Sequence, residues 1–312
     1  MISSIFGKTK PVNFVILLSF IFFFYPVVNV FVLNREIADL NLLKEIIAIS
    51  VLLFSIFIMD FIVKRNKLTK NNSYAILFFT LLVIAFPDTL GDSNAIFSTF
   101  FLLLAIRRIL SIKSLKNIRL KIFDASLWIL VGSLFYDWAI IYMVLVLSAI
   151  YIYEPKNIRN WFIILSATVC FVLILIGFLS IFDRIDWLLE HYRFNLDLKN
   201  LFVFDMVSNV KIGVYFLINV ILIIWAFLKL GKGGVGRIIM IRLVVLSFAL
   251  GMLMNILVLS SESHALIITF FPSVILMTNY IQSIKREKFR EILLMVSILI
   301  PVSIFLGRLL VS

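Results

Sequence analysis

Three short polar segments interrupt an otherwise apolar chain, and each places a carboxylate beside a hydrogen-bonding or cationic neighbour. The first reads Asn34-Arg35-Glu36-Ile37-Ala38-Asp39. A carboxylate within reach of a hydroxyl serves as a general base, and an arginine fork holds phosphate through two parallel hydrogen bonds. Glu36 or Asp39 with Arg35 supplies both functions; the simpler reading is a solvated loop with local ion pairs. The second segment reads Pro87-Asp88-Thr89-Leu90-Gly91-Asp92-Ser93-Asn94. Gly91 and Asp92 form turns, and Asp92 or Ser93 suits the N-cap of a following helix. Asp88 and Asp92, four residues apart, also suit a divalent metal, although hard cations impose no unique ligand spacing. The third is Tyr136-Asp137-Trp138, deep in an apolar run. A carboxylate there must be paired or must face a wet cavity. Asp137 either joins Asp39 and Asp88 at one cavity or marks an interfacial turn anchored by Tyr136 and Trp138.

Other reactive side chains are few. His191 and His264 are the only histidines; they allow a two-histidine metal site but read more simply as interfacial residues. Cys170 is alone in an apolar run, which excludes a disulfide framework and a thiolate metal site. Asp60 precedes Lys64 by four residues and Asp124 follows Lys121 by three, spacings that suit structural pairing on a helix. Lys232-Gly233-Gly234-Val235-Gly236-Arg237 imitates the start of a phosphate-binding loop. It lacks the preceding strand and the terminal Lys-Ser/Thr that such a loop requires, and reads as a turn.

The elements that position these residues must be membrane helices. Of 312 residues, 63% are hydrophobic and the mean hydropathy is +1.14, beyond the ~45–50% apolar content of soluble domains. A span needs about 20 apolar residues. Eleven segments bounded by charges are expected to be helices: 12–33, 42–63, 74–87, 95–112, 122–136, 138–153, 161–182, 212–228, 238–259, 265–283 and 292–311. Residues 122–153 form either one long helix or a hairpin turning near Asp137; a single helix of about 48 Å would overshoot a hydrocarbon core of about 30 Å, which favours the hairpin. The fold class is therefore all-α, a polytopic bundle forming one integral membrane domain over 1–312. Pro26, Pro272 and Pro301 lie inside spans, where kinks are expected.

Threaded this way, most of the 29 lysines and arginines fall on the side of the N-terminus, and most of the 17 carboxylates fall on the other. The positive-inside rule then makes the N-terminus cytoplasmic and, with eleven spans, the C-terminus outer. The net charge of +12 is explained by these flanking cations, so nucleic acid is excluded as a partner. Within 183–206, Ile185, Leu188, Leu189 and Tyr192 recur at helical spacing opposite Asp186, Glu190 and Arg193, the pattern of an amphipathic helix on the outer membrane surface.

Over nearly its full length the chain resembles a family of polytopic membrane proteins from flavobacterium-like bacteria. The residues that carry this are Ile5-Phe6-Gly7-Lys8-Thr9-Lys10-Pro11-Val12-Asn13-Phe14, the run from Leu103 to Lys116, and Lys121-Ile122-Phe123-Asp124-Ala125-Ser126. That resemblance implies a bacterial cytoplasmic (inner) membrane and no activity. A second similarity is to the GT-C membrane glycosyltransferases, which use polyprenyl-phosphate sugars at the outer face. It rests on Glu36 and Asp39 in the first outer loop, Asp88 and Asp92 in a second outer turn, and His264-Ala265-Leu266 with Pro272. The first loop is shorter than theirs, Ala265 stands where they carry tyrosine, and no periplasmic domain is present. The similarity implies Asp39 or Glu36 as base, with Asp88 or Asp92 as second carboxylate or metal ligand. Arg35, Arg193 and His264 would then bind phosphate, with His191 nearby. The competing expectations are a non-catalytic membrane subunit working with other membrane proteins, and a transporter or lipid flippase.

Overall fold

The computed structural model describes residues 2–36, 41–194, 206–230, 234–257 and 265–311; for 206–209, 230, 310 and 311 it describes the backbone alone. Among these residues the chain is helical, with no strand. Eight helices are long and apolar enough to cross a membrane, and the chain is built as a multi-pass membrane protein.

A short helix, α1 (Ile2–Phe6), precedes α2 (Pro11–Val27), whose first position holds proline, the one helical site where a missing N–H costs nothing. Two residues after Pro26, α2 changes to a π-helical turn over Val28–Val32, the local adjustment that accompanies a disturbed hydrogen-bond ladder. Next come α3 (Leu42–Arg65), capped by the Asn41 side chain, α4 (Tyr74–Ala85) and α5 (Ser93–Ser111). A 3₁₀ turn over Pro87–Leu90 separates the last two.

Helix α6 (Ile118–Ser133) ends before a 3₁₀ turn at Asp137–Tyr142, which leads into α7 (Met143–Tyr153). The chain breaks at 134–136, so residues 122–153 are not one helix. Then follow α8 (Ile158–Ile181), α9 (Asp186–His191), α10 (Met206–Leu230), α11 (Val235–Leu257), α12 (Phe270–Ser283) and α13 (Glu287–Val311). A 3₁₀ turn over Ala265–Thr269 leads into α12. Helices stand at each of the eleven expected segments, but α4, α6 and α7 are too short to count among the eight.

The short helix α4 is the centre of the molecule. Every residue from Tyr74 to Ile84 is buried, and α2, α3, α12 and α13 pack around it. Its 12 residues span only about 18 Å, and irregular turns extend it at both ends. Such non-helical backbone is tolerated within a membrane protein when it is enclosed by protein. On the other side, α5 packs along α3 and α6, and α6 packs on α8. Leu130, Phe171, Leu175 and Leu179 make that last contact. Gly251 of α11 is a close approach: a Cβ there would lie 2.9 Å from both Thr269 Cγ2 and Tyr142 Oη.

Two local expectations changed. Asp60 pairs with Lys64 at 2.6 Å as the spacing requires, but Asp124 pairs across helices with Arg108 at 3.0 Å. Lys121 instead donates to the Ser111 carbonyl and Ser114 Oγ, because α6 folds back against the end of α5. The expected amphipathic helix is helical only at Asp186–His191; residues 195–205 lie outside the described residues. Its apolar side chains divide: Trp187 and Leu188 pack on the α6–α8 contact, while Ile185 and Leu189 are exposed.

Candidate functional site

At one end of the bundle the segment 87–94 is a hub on which three other parts of the chain converge. The segment holds its own shape first. Thr89 Oγ1 donates to the Phe86 carbonyl at 2.7 Å, and the Gly91 N–H donates to the Asp88 carbonyl at 3.0 Å. Asp92 caps α5, its Oδ1 accepting from the Asn94 and Ala95 amides at 3.0 and 3.1 Å. Capping satisfies helix N–H groups that otherwise have no partner.

From α2, the π-helical turn carries the chain to Arg35, whose Nη2 donates to the Gly91 carbonyl at 2.6 Å. Its Nη1 reaches Asn29 Oδ1 at 3.2 Å and lies 3.8 Å from Glu45 Oε1. Tyr25 donates to the other oxygen of Glu45. Gly91 is required for this approach: a Cβ would lie 2.7 Å from Leu33 Cδ1 and 3.3 Å from Arg35 Nη2. From α13, Arg308 donates to Asp88. From the α6–α7 turn, Tyr136 donates to Asp92 Oδ2. Arg35 thus grips the turn at Gly91, which lies between the two aspartates in sequence, and each aspartate has a long-range partner.

A second cluster shares the α6–α7 turn. His191 Nε2 lies 2.8 Å from the Ser133 carbonyl; a carbonyl only accepts, so Nε2 carries the hydrogen. The His191 ring stacks on Trp187 with centroids 4.4 Å apart. Tyr192 Oη lies 2.8 Å from Ser133 Oγ, and burial pushes the Tyr192 hydroxyl above its ordinary range. Asp137 accepts from the Trp138 amide at 2.7 Å and lies within electrostatic range of His191. Trp138 in turn meets Phe194 edge-on, with centroids 4.9 Å apart.

The sequence candidates therefore divide. Arg35, Asp88 and Asp92 come together at the hub. Asp137 and His191 form the neighbouring cluster, joined to the hub through Tyr136. Glu36 and Arg193 are exposed beside these clusters, and Asp39 and His264 lie outside the described residues. No group of three histidine, cysteine, aspartate or glutamate side chains suited to a metal occurs among the described residues; Asp88 and Asp92 are turned instead to Arg308, Tyr136 and the α5 cap. Sequence reasoning missed Tyr25, Asn29, Glu45 and Arg308 as site members. A glutamate in the first turn of α3 and an arginine in the last turn of α13 are visible signals, but nothing in spacing connects them.

Chemically, the hub offers fixed donors around two carboxylates at the end of an apolar bundle. An anion entering there would compete with Asp88 for Arg308 and with the Gly91 carbonyl for Arg35. Comparison with protein-family models, curated proteins and solved structures finds no match to this chain.

Proposed function

We propose that the protein is a GT-C-like transferase that uses a polyprenyl-phosphate-linked sugar at the outer leaflet of a bacterial cytoplasmic membrane, with eleven crossings and the N-terminus inside. The observation that supports this reading is the Arg35 contact with the Gly91 carbonyl. It ties the first acidic loop to the second acidic turn, the two segments from which such a reaction needs its carboxylates. Glu36 or Asp39 then serves as base toward an acceptor hydroxyl. Arg35, with its planar fork, binds a phosphate oxygen pair once the substrate displaces its internal partners. Asp88 orients Arg308, and Asp92 holds the turn and Tyr136. His191, His264 and Arg193 belong to the same face in this reading.

The test is transfer from a polyprenyl-phosphate sugar by the purified protein in proteoliposomes. Asp39→Asn and Asp88→Asn should each abolish transfer while the protein stays folded. Unchanged transfer in both variants would sink the assignment. A second reading, a non-catalytic membrane subunit, draws on a different observation: Arg35, Asp88 and Asp92 are all already engaged by partners within the chain. It predicts a stoichiometric partner on gentle purification and no transfer from any donor.

A further inference from the structure

The opposite end of the bundle holds a basic cavity. It has a volume of about 460 Å³ and lies where α1, the α3–α4 connection, the end of α12 and the start of α13 meet. Lys8, Lys10, Lys70 and Arg290 line it, and no carboxylate does so among the described residues. Insertion topology explains why cations gather at this end of the bundle. It does not explain why four of them share one cavity with polar side chains and no facing carboxylate among the described residues. Gln282 accepts from the Lys70 amide through Oε1 at 2.9 Å, which ties the end of α12 to the α3–α4 connection and closes one wall. On α13, Glu287 Oε1 lies 4.0 Å from Arg290 Nη2 but is itself largely exposed, and Glu291 is held by the Ile2 and Ser3 amides at 3.0 Å each.

A lipid-facing groove begins where this cavity ends. It runs between α4, α10, α12 and α13, has a volume of about 460 Å³ and is almost wholly apolar. On α4, Phe78 of the groove is one turn beyond Tyr74 of the cavity; on α13, Leu293 of the groove is one turn beyond Arg290. On α12, Ile281 of the groove adjoins Gln282 of the cavity. A polar, cationic chamber continued on three helices by an apolar channel has the two-part chemistry of a phospholipid. Its size falls within the ~300–1,000 Å³ of small-molecule sites.

We propose that this is a binding site for an anionic phospholipid of the leaflet on the side of the N-terminus. Its phosphate sits among Lys8, Lys10, Lys70 and Arg290, and one acyl chain lies along the groove past Val296 and Ser297. The basic chamber is at the far end of α4 from the acidic hub, and the proposal does not depend on the transferase reading.

The experiment uses the full chain purified in detergent, with phosphatidylglycerol, phosphatidylcholine or inorganic phosphate added as probes. Binding is read by native mass spectrometry for the lipids and by calorimetry for phosphate. Phosphatidylglycerol should be retained about tenfold or more over phosphatidylcholine, from the summed attraction of several cations. The double variant Lys10→Gln/Lys70→Gln, both exposed and remote from the packed core, should lose that preference. Ser297→Trp should lower retention of both lipids by filling the groove. Equal retention of the two lipids, or an unchanged preference in the double variant, overturns the proposal. Binding of inorganic phosphate that matches phosphatidylglycerol and survives Ser297→Trp overturns the lipid assignment in favour of a soluble phosphate compound. Melting temperature without added lipid, unchanged in each variant, separates lost binding from lost folding.

Discussion

At the scale of single residues, the acidic hub is held by side chains that do several jobs, so substitutions there separate by which job they remove. Arg35→Ala deletes the bond to Gly91 and the pairing toward Glu45, and should destabilise the protein by about 2 kcal/mol, the range for hydrogen bonds to charged groups. Arg35→Lys keeps charge but not the fork and should recover only part of this; unfolding in detergent measures both. Asp92 distinguishes capping from charge. Asp92→Asn keeps the capping oxygen but replaces the acceptor of the Tyr136 hydroxyl, and should cost about 1.5 kcal/mol, the low end for hydrogen bonds to charged groups. Asp92→Ala should cost about 1 kcal/mol more from the lost cap. A fall in transfer with the Asn variant that Tyr136→Phe, which removes the same bond, does not reproduce would assign the Asp92 charge to chemistry. Away from the hub, Gly251→Ala forces a methyl to within 2.9 Å of Thr269 and Tyr142, both fully enclosed. It should cost about 1–3 kcal/mol by overpacking, visible as a lowered melting temperature.

At the scale of elements, the contrast is between α4 and α8. Both read in the sequence as apolar runs, and periodicity said little about which faces they bury. In the structure α4 is buried all round, whereas α8 shows most of its surface to lipid, with Leu173 and Ile174 exposed. Phe79→Ala should therefore cost about 3–5 kcal/mol through the cavity it leaves. Leu173→Ala should leave unfolding within about 0.5 kcal/mol of the parent. Lipid tails solvate an apolar side chain as well as protein does, so hydropathy reports the membrane and not the neighbour. The break between α6 and α7 was legible for a physical reason: one helix through Asp137 would be longer than the bilayer is thick. At Asp186–His191 the expected helix was legible, but the packing of Trp187 and Leu188 on α6 and α8 was not, because amphipathic spacing describes a face without saying what covers it.

At the scale of the whole molecule, the proposed topology rests on charge placement. Reporter fusions after Lys70, Lys116 and Lys285 should read cytoplasmic, and fusions after Asp92 and at the C-terminus should read outer. A cytoplasmic C-terminus would overturn the proposed eleven crossings and the outer placement proposed for the acidic hub. That the chain is a multi-pass helical membrane protein follows from the sequence alone, because a chain this apolar has no other solvent; of the eleven segments read from it, the structure makes eight into helices long and apolar enough to cross a membrane among the described residues. The partners of the polar side chains were decided by the tertiary structure. Asp88 meets Arg308 across 220 positions of sequence, Tyr136 meets Asp92 across 44, and Asp124 turns from Lys121 to Arg108. Spacing along one helix specifies neighbours three or four residues away. Which distant helix ends share a site depends on how the helices pack, and packing rests on the shapes of apolar side chains that hydropathy treats as alike.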